Sequence, residues 1–133
     1  MATHSVPVMS ACADREDLSL IGLGGSYHLP TRSLGGPETR AQLANLHLDL
    51  AVVSASALQP RGLFCHDATE ADTKRSMLAT AARRLLVADT TKLTARAPIR
   101  IAGWESVDTL VTDDGLSPDA RASLAAWGVE VHV

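Results

Sequence analysis

The sequence predicts an α/β fold in which helices lie on both faces of a mostly parallel sheet. Segments of strand and helix character alternate along the whole chain, which is typical of such sheets. The clearest alternation is at residues 70–92, EADTKRSMLATAARRLLVADTTK, where apolar residues at helical spacing precede a short continuous apolar run. Such a run is expected of a parallel strand that is buried on both faces. The helical positions are Met77, Leu78, Ala81 and Ala82, and the strand is Leu85, Leu86, Val87 and Ala88.

The first half of the chain contains two predicted helices and three predicted extended segments. A short helix is expected within residues 3–15, and a strand at 18–23 is stopped by two glycines. A short extended piece at 31–34 precedes a helix at 37–46, whose first residue is proline, as suits a first turn. The next strand is predicted at 48–54.

The second half begins with a turn at residues 59–62, which contains adjacent proline, arginine and glycine residues. Asp67 or Thr69 is a plausible N-cap of the long helix. A second helix follows Ser117 and Pro118 and ends before Gly128, which suits the residue after a helix. Further strands are predicted at residues 63–65, 99–101, 108–112 and 129–133.

Length and composition predict a single domain, residues 1–133, of an ordinary globular protein. The chain is 46% hydrophobic and 20% charged, and its net charge of −3 argues against binding nucleic acid unaided. No apolar run approaches the roughly 20 residues that span a bilayer, so no membrane association is expected. The amino terminus lacks the features of a signal peptide, which predicts a cytoplasmic protein with free thiols at Cys12 and Cys65.

Asp89 and Lys92 lie three residues apart at the carboxyl end of the predicted strand, where open α/β sheets place their ligand sites. In one interpretation the two side chains clamp a ligand, and Lys92 meets an anion as a point charge. In the other, the loop is solvated and Asp89 caps a turn. The residues alone leave both open.

Glu70 and Lys74 form an i,i+4 pair in the first turns of the long helix, which is typical of a surface salt bridge. The alternative is that Lys74 points into the crevice at the end of a strand. Gly24 and Gly25 follow a strand and could let backbone amides approach a phosphate, although composition alone favours a plain tight turn. No histidine or cysteine pattern predicts a metal site, and no G-x-S-x-G elbow indicates a catalytic nucleophile.

Taken in order, these segments resemble the C-terminal sensor domain of DeoR-family transcriptional regulators over nearly the whole chain. The most specific matches are the Glu70-Ala71 and Lys74-Arg75 pairs, the Asp89-x-x-Lys92 loop and Thr112-Asp113. The resemblance implies a fold like ribose-5-phosphate isomerase and the CoA transferases, and an effector that is a phosphorylated sugar. The matching segments are LGG at 23–25, GPE at 36–38, EADTKRSM at 70–77, LLVADTTK at 85–92, VDTLVTDDGL at 107–116 and GVEV at 128–131.

Two family features that normally lie upstream are not found in this sequence. One is a D-x-G-T-T phosphate loop after an earlier strand, and the other is the helix-turn-helix region that reads DNA. The sequence is therefore expected to lack the first strand and phosphate loop, and to reach DNA only through a region absent from this chain.

The same resemblance predicts binding without catalysis. Where the isomerase carries a D-G-A-D run, residues 53–56 read Val-Ser-Ala-Ser, and alignment by the Asp-x-x-Lys loops puts Lys74 at the general-base glutamate. No cofactor is expected, and the family favours a homo-oligomer. The alternatives are an isomerase that uses Glu70 or Asp67 as its base, or a remnant with only an oligomerisation role. The expected ligand-binding residues are Gly24, Gly25, Ser54, Ser56, Glu70, Lys74, Asp89 and Lys92.

Overall fold

A computed structural model describes all 133 residues, which form two compact units, Met1–Leu46 and His47–Val133. The first unit contains two small sheets and two seven-residue helices. One sheet is parallel (β1 with β2) and the other is an antiparallel hairpin (β3 with β4). In chain order the elements are β1 (Ala2–Thr3), α1 (Val6–Cys12), β2 (Ile21–Gly22), β3 (Ser26–His28), β4 (Ser33–Gly35) and α2 (Pro37–Leu43).

The predicted elements of this unit are present but shorter than expected. The strand predicted at 18–23 is restricted to Ile21–Gly22, and the helix predicted at 37–46 ends at Leu43. Pro37 lies in the first turn of α2, as predicted, because its fixed φ suits a helix and its missing N–H has no partner to lose. The strand Ser26–His28 was not predicted, since its pairing with β4 is set by the hairpin and not by apolar periodicity.

Gly25 is required by the packing of the first unit. Its φ is +141°, a region that glycine tolerates and other residues rarely adopt. A Cβ atom at this position would lie 2.3 Å from the Thr39 hydroxyl and 2.5 Å from the carbonyl oxygen of Gly35. Thr39 is fully buried and donates a hydrogen bond to the Gly24 carbonyl over 2.5 Å. The glycine pair thus allows α2 to pack closely on the preceding loop.

The second unit contains a four-stranded parallel sheet in the order β11-β10-β8-β5, which confirms the predicted α/β class and parallel pairing. A second, antiparallel sheet has the order β6-β7-β9. Short 3-10 turns lie at Thr90–Leu93 and Trp104–Ser106. In chain order the elements are β5 (Leu48–Val53), β6 (Ala57–Gln59), β7 (Gly62–Cys65), α3 (Ala68–Thr80), β8 (Ala81–Val87), β9 (Ile99–Ala102), β10 (Thr109–Val111), α4 (Pro118–Ala126) and β11 (Glu130–His132).

The two faces of the parallel sheet differ in exposure, so the prediction that the strand at residues 85–88 is buried on both faces is wrong. Val53, Leu86 and Leu110 are neighbours across three strands, and all three are buried in the core of the unit. Because side chains alternate along a strand, Val52 and Val87 lie on the opposite face, where they are 51% and 44% exposed. Strand β5 forms one edge of this sheet.

The long helix begins where it was predicted to begin, but its carboxyl-terminal boundary was predicted too late. Asp67 is its N-cap, and its carboxylate accepts a hydrogen bond from the Glu70 N–H over 2.8 Å. The helix α3 ends at Thr80 and β8 begins directly at Ala81, with no residue between them. Ala81 and Ala82 were predicted to be helical and are strand residues instead. Alanine fits both structures, so spacing alone could not place the boundary.

Helix α4 confirms both of its predicted ends. The Ser117 hydroxyl accepts a hydrogen bond from the Ala120 N–H over 3.2 Å, and Gly128 has a φ of +79° just beyond the helix. The helices have 7, 7, 13 and 9 residues, and none is long and apolar enough to cross a membrane.

Candidate functional site

The candidate site lies where the parallel strands of the second unit end. Ser54 follows β5, Asp89 follows β8 closely, and Asp113 follows β10. Since the three strands are parallel and adjacent, their carboxyl ends meet at one edge of the sheet. Ligand sites of open α/β sheets occur at this edge, because the strands stop pairing there and side chains converge.

Lys74 is the only charged residue that is buried, with 7% of its surface exposed. Its ammonium group donates to the Glu70 carboxylate over 2.5 Å and to the Ser54 hydroxyl over 3.4 Å. Helix α3 therefore holds Lys74 beside Ser54 at the end of β5, while its contact with a ligand stays a prediction. The i,i+4 salt bridge predicted with Glu70 is also present, and it is largely buried instead of lying on the surface.

Asp89 caps the 3-10 turn that follows β8. Its carboxylate accepts hydrogen bonds from the N–H of Thr91, over 3.0 Å, and from the Thr91 hydroxyl. The Lys92 ammonium lies 3.6 Å from the other carboxylate oxygen. The Thr91 hydroxyl, more than the Lys92 charge, lowers the pKa of Asp89 below its usual value. Asp89 is thus a turn cap, and its second oxygen faces the one cation of the loop.

Asp113 is a site residue that the sequence-based selection missed. Its carboxylate accepts hydrogen bonds from the N–H and the hydroxyl of Thr90, both over 2.8 Å, and from the N–H of Gly115 over 2.9 Å. These bonds, led by the Thr90 N–H, lower the pKa of Asp113. Asp113 therefore joins the end of β10 to the start of the Lys92 turn. Its position directly after a predicted strand was the signal that could have identified it.

The predicted residues of the second unit thus form two groups. Ser54, Glu70 and Lys74 make one hydrogen-bonded group, and Asp89 and Lys92 make another that Asp113 supports. No hydrogen bond or ion pair links the two groups. Ser56 donates its backbone N–H to the Phe64 carbonyl over 2.9 Å, and its hydroxyl has no partner.

Gly24 and Gly25 belong to the first unit. The Gly24 N–H already donates to the Gln42 side-chain oxygen over 3.1 Å. The packing of Thr39 and Gly35 against Gly25 accounts for the second glycine. The structure therefore gives both glycines a role in local packing, while their predicted contact with a ligand stays a prediction.

The chemistry available at the strand ends is recognition of an anion that also carries hydroxyl groups. The chain contains only two lysines, Lys74 and Lys92, and both lie at this edge of the sheet. An ammonium group binds phosphate as a point charge, whereas carboxylates and hydroxyls form hydrogen bonds with a polyol. Neither lysine is free of a counter-charge, since each lies beside a carboxylate.

Comparison with known families identifies the kind of domain. A sequence profile described as the DeoR C terminal sensor domain matches residues 1–114, which is most of the chain. The chain belongs to the DeoR sensor domain family. The predicted family resemblance is therefore confirmed, and a sensor domain of this kind supports a ligand-sensing role.

The curated relatives of this DeoR sensor domain are transcriptional regulators. It is 28% identical over 130 residues to the "Putative aga operon transcriptional repressor" of Escherichia coli O157:H7, covering 97% of this chain and 48% of that protein. It is 31% identical over 126 residues to the "HTH-type transcriptional regulator GlpR" of Haloferax volcanii, covering 94% and 49%. The "L-fucose operon activator" of Escherichia coli K12 is 29% identical over 113 residues, covering 84% and 46%. The chain thus spans about half the length of these relatives.

Proposed function

We propose that this chain is the effector-binding domain of a DeoR-type transcriptional regulator, and that it binds a phosphorylated sugar without converting it. The observation that carries the proposal is the buried Lys74, which α3 holds against Ser54 at the end of β5. Burying an ammonium group is costly, and a purely structural role rarely needs one at the end of a strand. A site that must neutralise an anion gives a reason for that cost.

Lys92 is the group we assign to the phosphate. Its side chain is 36% exposed and its only ion pair is the 3.6 Å contact with Asp89, so an incoming phosphate can compete for it. Asp89 then becomes an acceptor for a sugar hydroxyl. The side chains of Ser54 and Ser56 add short hydroxyls to the same edge, where either can donate to or accept from the sugar.

The proposal excludes isomerisation for a specific reason. An aldose–ketose isomerase needs a carboxylate that takes a proton from carbon, and Glu70 or Asp67 would have to supply it here. The Glu70 carboxylate already accepts a hydrogen bond from the Lys74 ammonium over 2.5 Å, so this ion pair competes with any contact between Glu70 and a substrate carbon. The alternative function, a sugar-phosphate isomerase, would require Glu70 to leave this ion pair.

The proposed location of the domain and its link to DNA are based on the names of its relatives. Because several of them are named as transcriptional regulators, we propose that the domain acts in the cytoplasm and influences DNA through a helix-turn-helix region outside the matched half. We also propose that it forms a homo-oligomer. The ligand contact predicted for Gly24 and Gly25 concerns the first unit and is a separate proposal.

The test is thermal unfolding of the chain with and without a panel of sugar phosphates. A ligand at about 100 times its Kd stabilises by about 2.7 kcal/mol, which is a shift on the order of 10 °C for this size. Lys92→Ala removes one charge-assisted hydrogen bond, and we expect it to weaken binding about tenfold to a hundredfold. Arg96→Ala is the matched control, because it removes an exposed cation from the loop that follows.

Two results would contradict the proposal. If K92A binds the selected sugar phosphate as tightly as wild type and R96A do, the assignment of Lys92 is wrong. If the chain converts ribose 5-phosphate to a ketose at a rate that depends on Glu70, the domain is an isomerase. A panel that gives no shift at all removes the phosphorylated sugar as the effector.

A further inference from the structure

A cavity lies near the end of the parallel sheet where strands β10 and β11 begin. Trp104 precedes β10 and Trp127 precedes β11, whereas the candidate sugar site follows the ends of the strands. The cavity has a volume of about 320 Å³. This is the lower end of the roughly 300–1,000 Å³ range of small-molecule pockets. Its lining residues are Pro60, Arg61, Arg100, Trp104, Glu105 and Trp127.

Two stacked tryptophans form the aromatic wall of this cavity. The Trp104 and Trp127 ring centroids are 5.3 Å apart and the ring planes are inclined by 13°. Trp104 is 5% exposed, and its indole N–H donates to the Gln59 carbonyl over 2.9 Å, so its position is fixed. Trp127 lies on this fixed ring and is 40% exposed. The result is a rigid aromatic surface that is open to solvent.

Two arginines supply positive charge beside the tryptophans. Arg100 is oriented by a hydrogen bond from its Nε to the Arg61 carbonyl over 2.9 Å, and its terminal nitrogen lies 3.9 Å from the Glu105 carboxylate. The Arg61 guanidinium is exposed and has no hydrogen-bond or ion-pair partner. The cavity therefore offers one unpaired guanidinium, one loosely paired guanidinium and one carboxylate acceptor.

We propose that this cavity binds a mononucleotide. The base stacks on Trp127, the phosphate pairs with Arg61 and Arg100, and Glu105 accepts a hydrogen bond from a ribose hydroxyl. Stacking of a base on an aromatic side chain contributes about 1–3 kcal/mol, and the guanidinium fork suits the geometry of phosphate. The small volume favours one nucleotide over a dinucleotide.

This combination of groups distinguishes the cavity from the sugar site. The sugar site has lysines, hydroxyls and carboxylates but no aromatic residue, whereas the cavity has both tryptophans of the chain and no lysine. A sugar phosphate lacks the flat apolar surface that would use the tryptophan stack. The mononucleotide site is therefore independent of the proposed sugar site.

Intrinsic fluorescence tests the proposal directly, because both tryptophans of the chain line this cavity. The full chain is titrated with AMP, adenosine and inorganic phosphate, with excitation at the red edge of tryptophan absorption, where adenine does not absorb. We expect saturable quenching by AMP, at least tenfold weaker binding of adenosine, and no quenching by phosphate alone. Calorimetry with AMP gives the same affinity without an optical signal.

Arg61→Ala is expected to weaken AMP binding about tenfold and to leave the binding of sugar phosphates unchanged. Arg121→Ala, which removes an exposed cation outside the cavity, is the matched control and keeps the wild-type AMP affinity. Three results would overturn the proposal: no AMP binding up to millimolar concentration, equal affinity for AMP and adenosine together with an unaffected R61A, or fluorescence that changes with protein concentration alone. The last would make the tryptophan surface a contact between copies of the chain.

Discussion

At the scale of single residues, Asp113 fixes the position of the loop that carries Lys92. One carboxylate accepts two bonds from Thr90 and one from Gly115, so a side chain joins the two segments that follow β8 and β10, beyond the last paired residues. Asp113 touches neither lysine. We assign it a positioning role, in which the carboxylate orients the turn and the turn presents Lys92 to the effector.

Asp113→Asn is expected to lower Tm slightly and to weaken sugar-phosphate binding, because an amide oxygen is a poorer acceptor and the amide nitrogen accepts nothing. The hydrogen bonds lower the folded-state pKa of Asp113 below its unfolded value of about 3.9. Its contribution to stability is therefore present above pH about 4 and is lost as the pH falls through the folded pKa. The Tm difference between wild type and D113N should shrink over that acidic range.

Asp114→Asn is the control for this measurement. Asp114 is the exposed neighbour of Asp113, and its side chain makes no hydrogen bond or ion pair. Thermal melts of both variants from neutral to acidic pH separate the two effects. A D113N variant that behaves like D114N at every pH would show that the Asp113 bonds do not hold the turn.

The site could be predicted from the sequence only where its contacts are local. Glu70 and Lys74 are one helical turn apart, so their ion pair follows from spacing. The contact between Lys74 and Ser54 joins residues that are 20 apart in the chain, and it requires α3 to pack beside the end of β5. The capping of a turn by Asp89 is also local, and it was one of the two predicted interpretations. The contact between Asp113 and Thr90 could not be predicted in this way, because it depends on the pairing of β8 with β10.

At the scale of elements, α3 is the helix that carries the buried part of the site, and its start is fixed by Asp67. Replacing the cap by alanine leaves the Glu70 N–H without its partner, and this typically costs about 1 kcal/mol of stability. Chemical denaturation of Asp67→Ala should show that loss. The Asp67→Asn variant should be close to wild type, since asparagine is an equally good N-cap. Equal losses in both variants would indicate that charge, and not capping, is what Asp67 supplies.

Element type was more predictable than element boundaries. The strands Gly62–Cys65 and Ile99–Ala102 were anticipated from short apolar runs, and the glycine after α4 from its conformational freedom. The antiparallel pairing of β7 with both β6 and β9 could not be read from the runs themselves, because pairing partners are chosen by the three-dimensional fold. The same holds for β3, whose three residues pair only within their hairpin.

At the scale of the whole molecule, the outer face and the edge of the parallel sheet bear on assembly. Strand β5 is a six-residue edge strand, and its outward residues Leu50 and Val52 are 44% and 51% exposed. Edge strands of this kind offer unpaired backbone groups to another chain. We expect the proposed homo-oligomer to form through the unpaired side of strand β5.

Val52→Lys should therefore reduce self-association, because a charge on an edge strand opposes pairing with a second copy. Sedimentation velocity over a range of concentrations measures this, with wild type expected to shift to larger species and V52K to remain monomeric. Val133→Lys is the matched control, since it makes the same substitution at the exposed last residue. If all three proteins sediment alike, β5 is not the contact.

The direct junction between Thr80 and Ala81 has a mechanical consequence. Because no loop separates them, we expect α3 and β8 to move together. Lys74 lies on α3, and the turn that carries Lys92 follows the carboxyl end of β8. If an effector moves either lysine when it binds, α3 and β8 would be displaced together. Strands β5 and β10, which pair with β8, would have to shift as well. Two glycines inserted between Thr80 and Ala81 would make this junction flexible. We expect the effector still to bind, without displacing the neighbouring strands of the sheet.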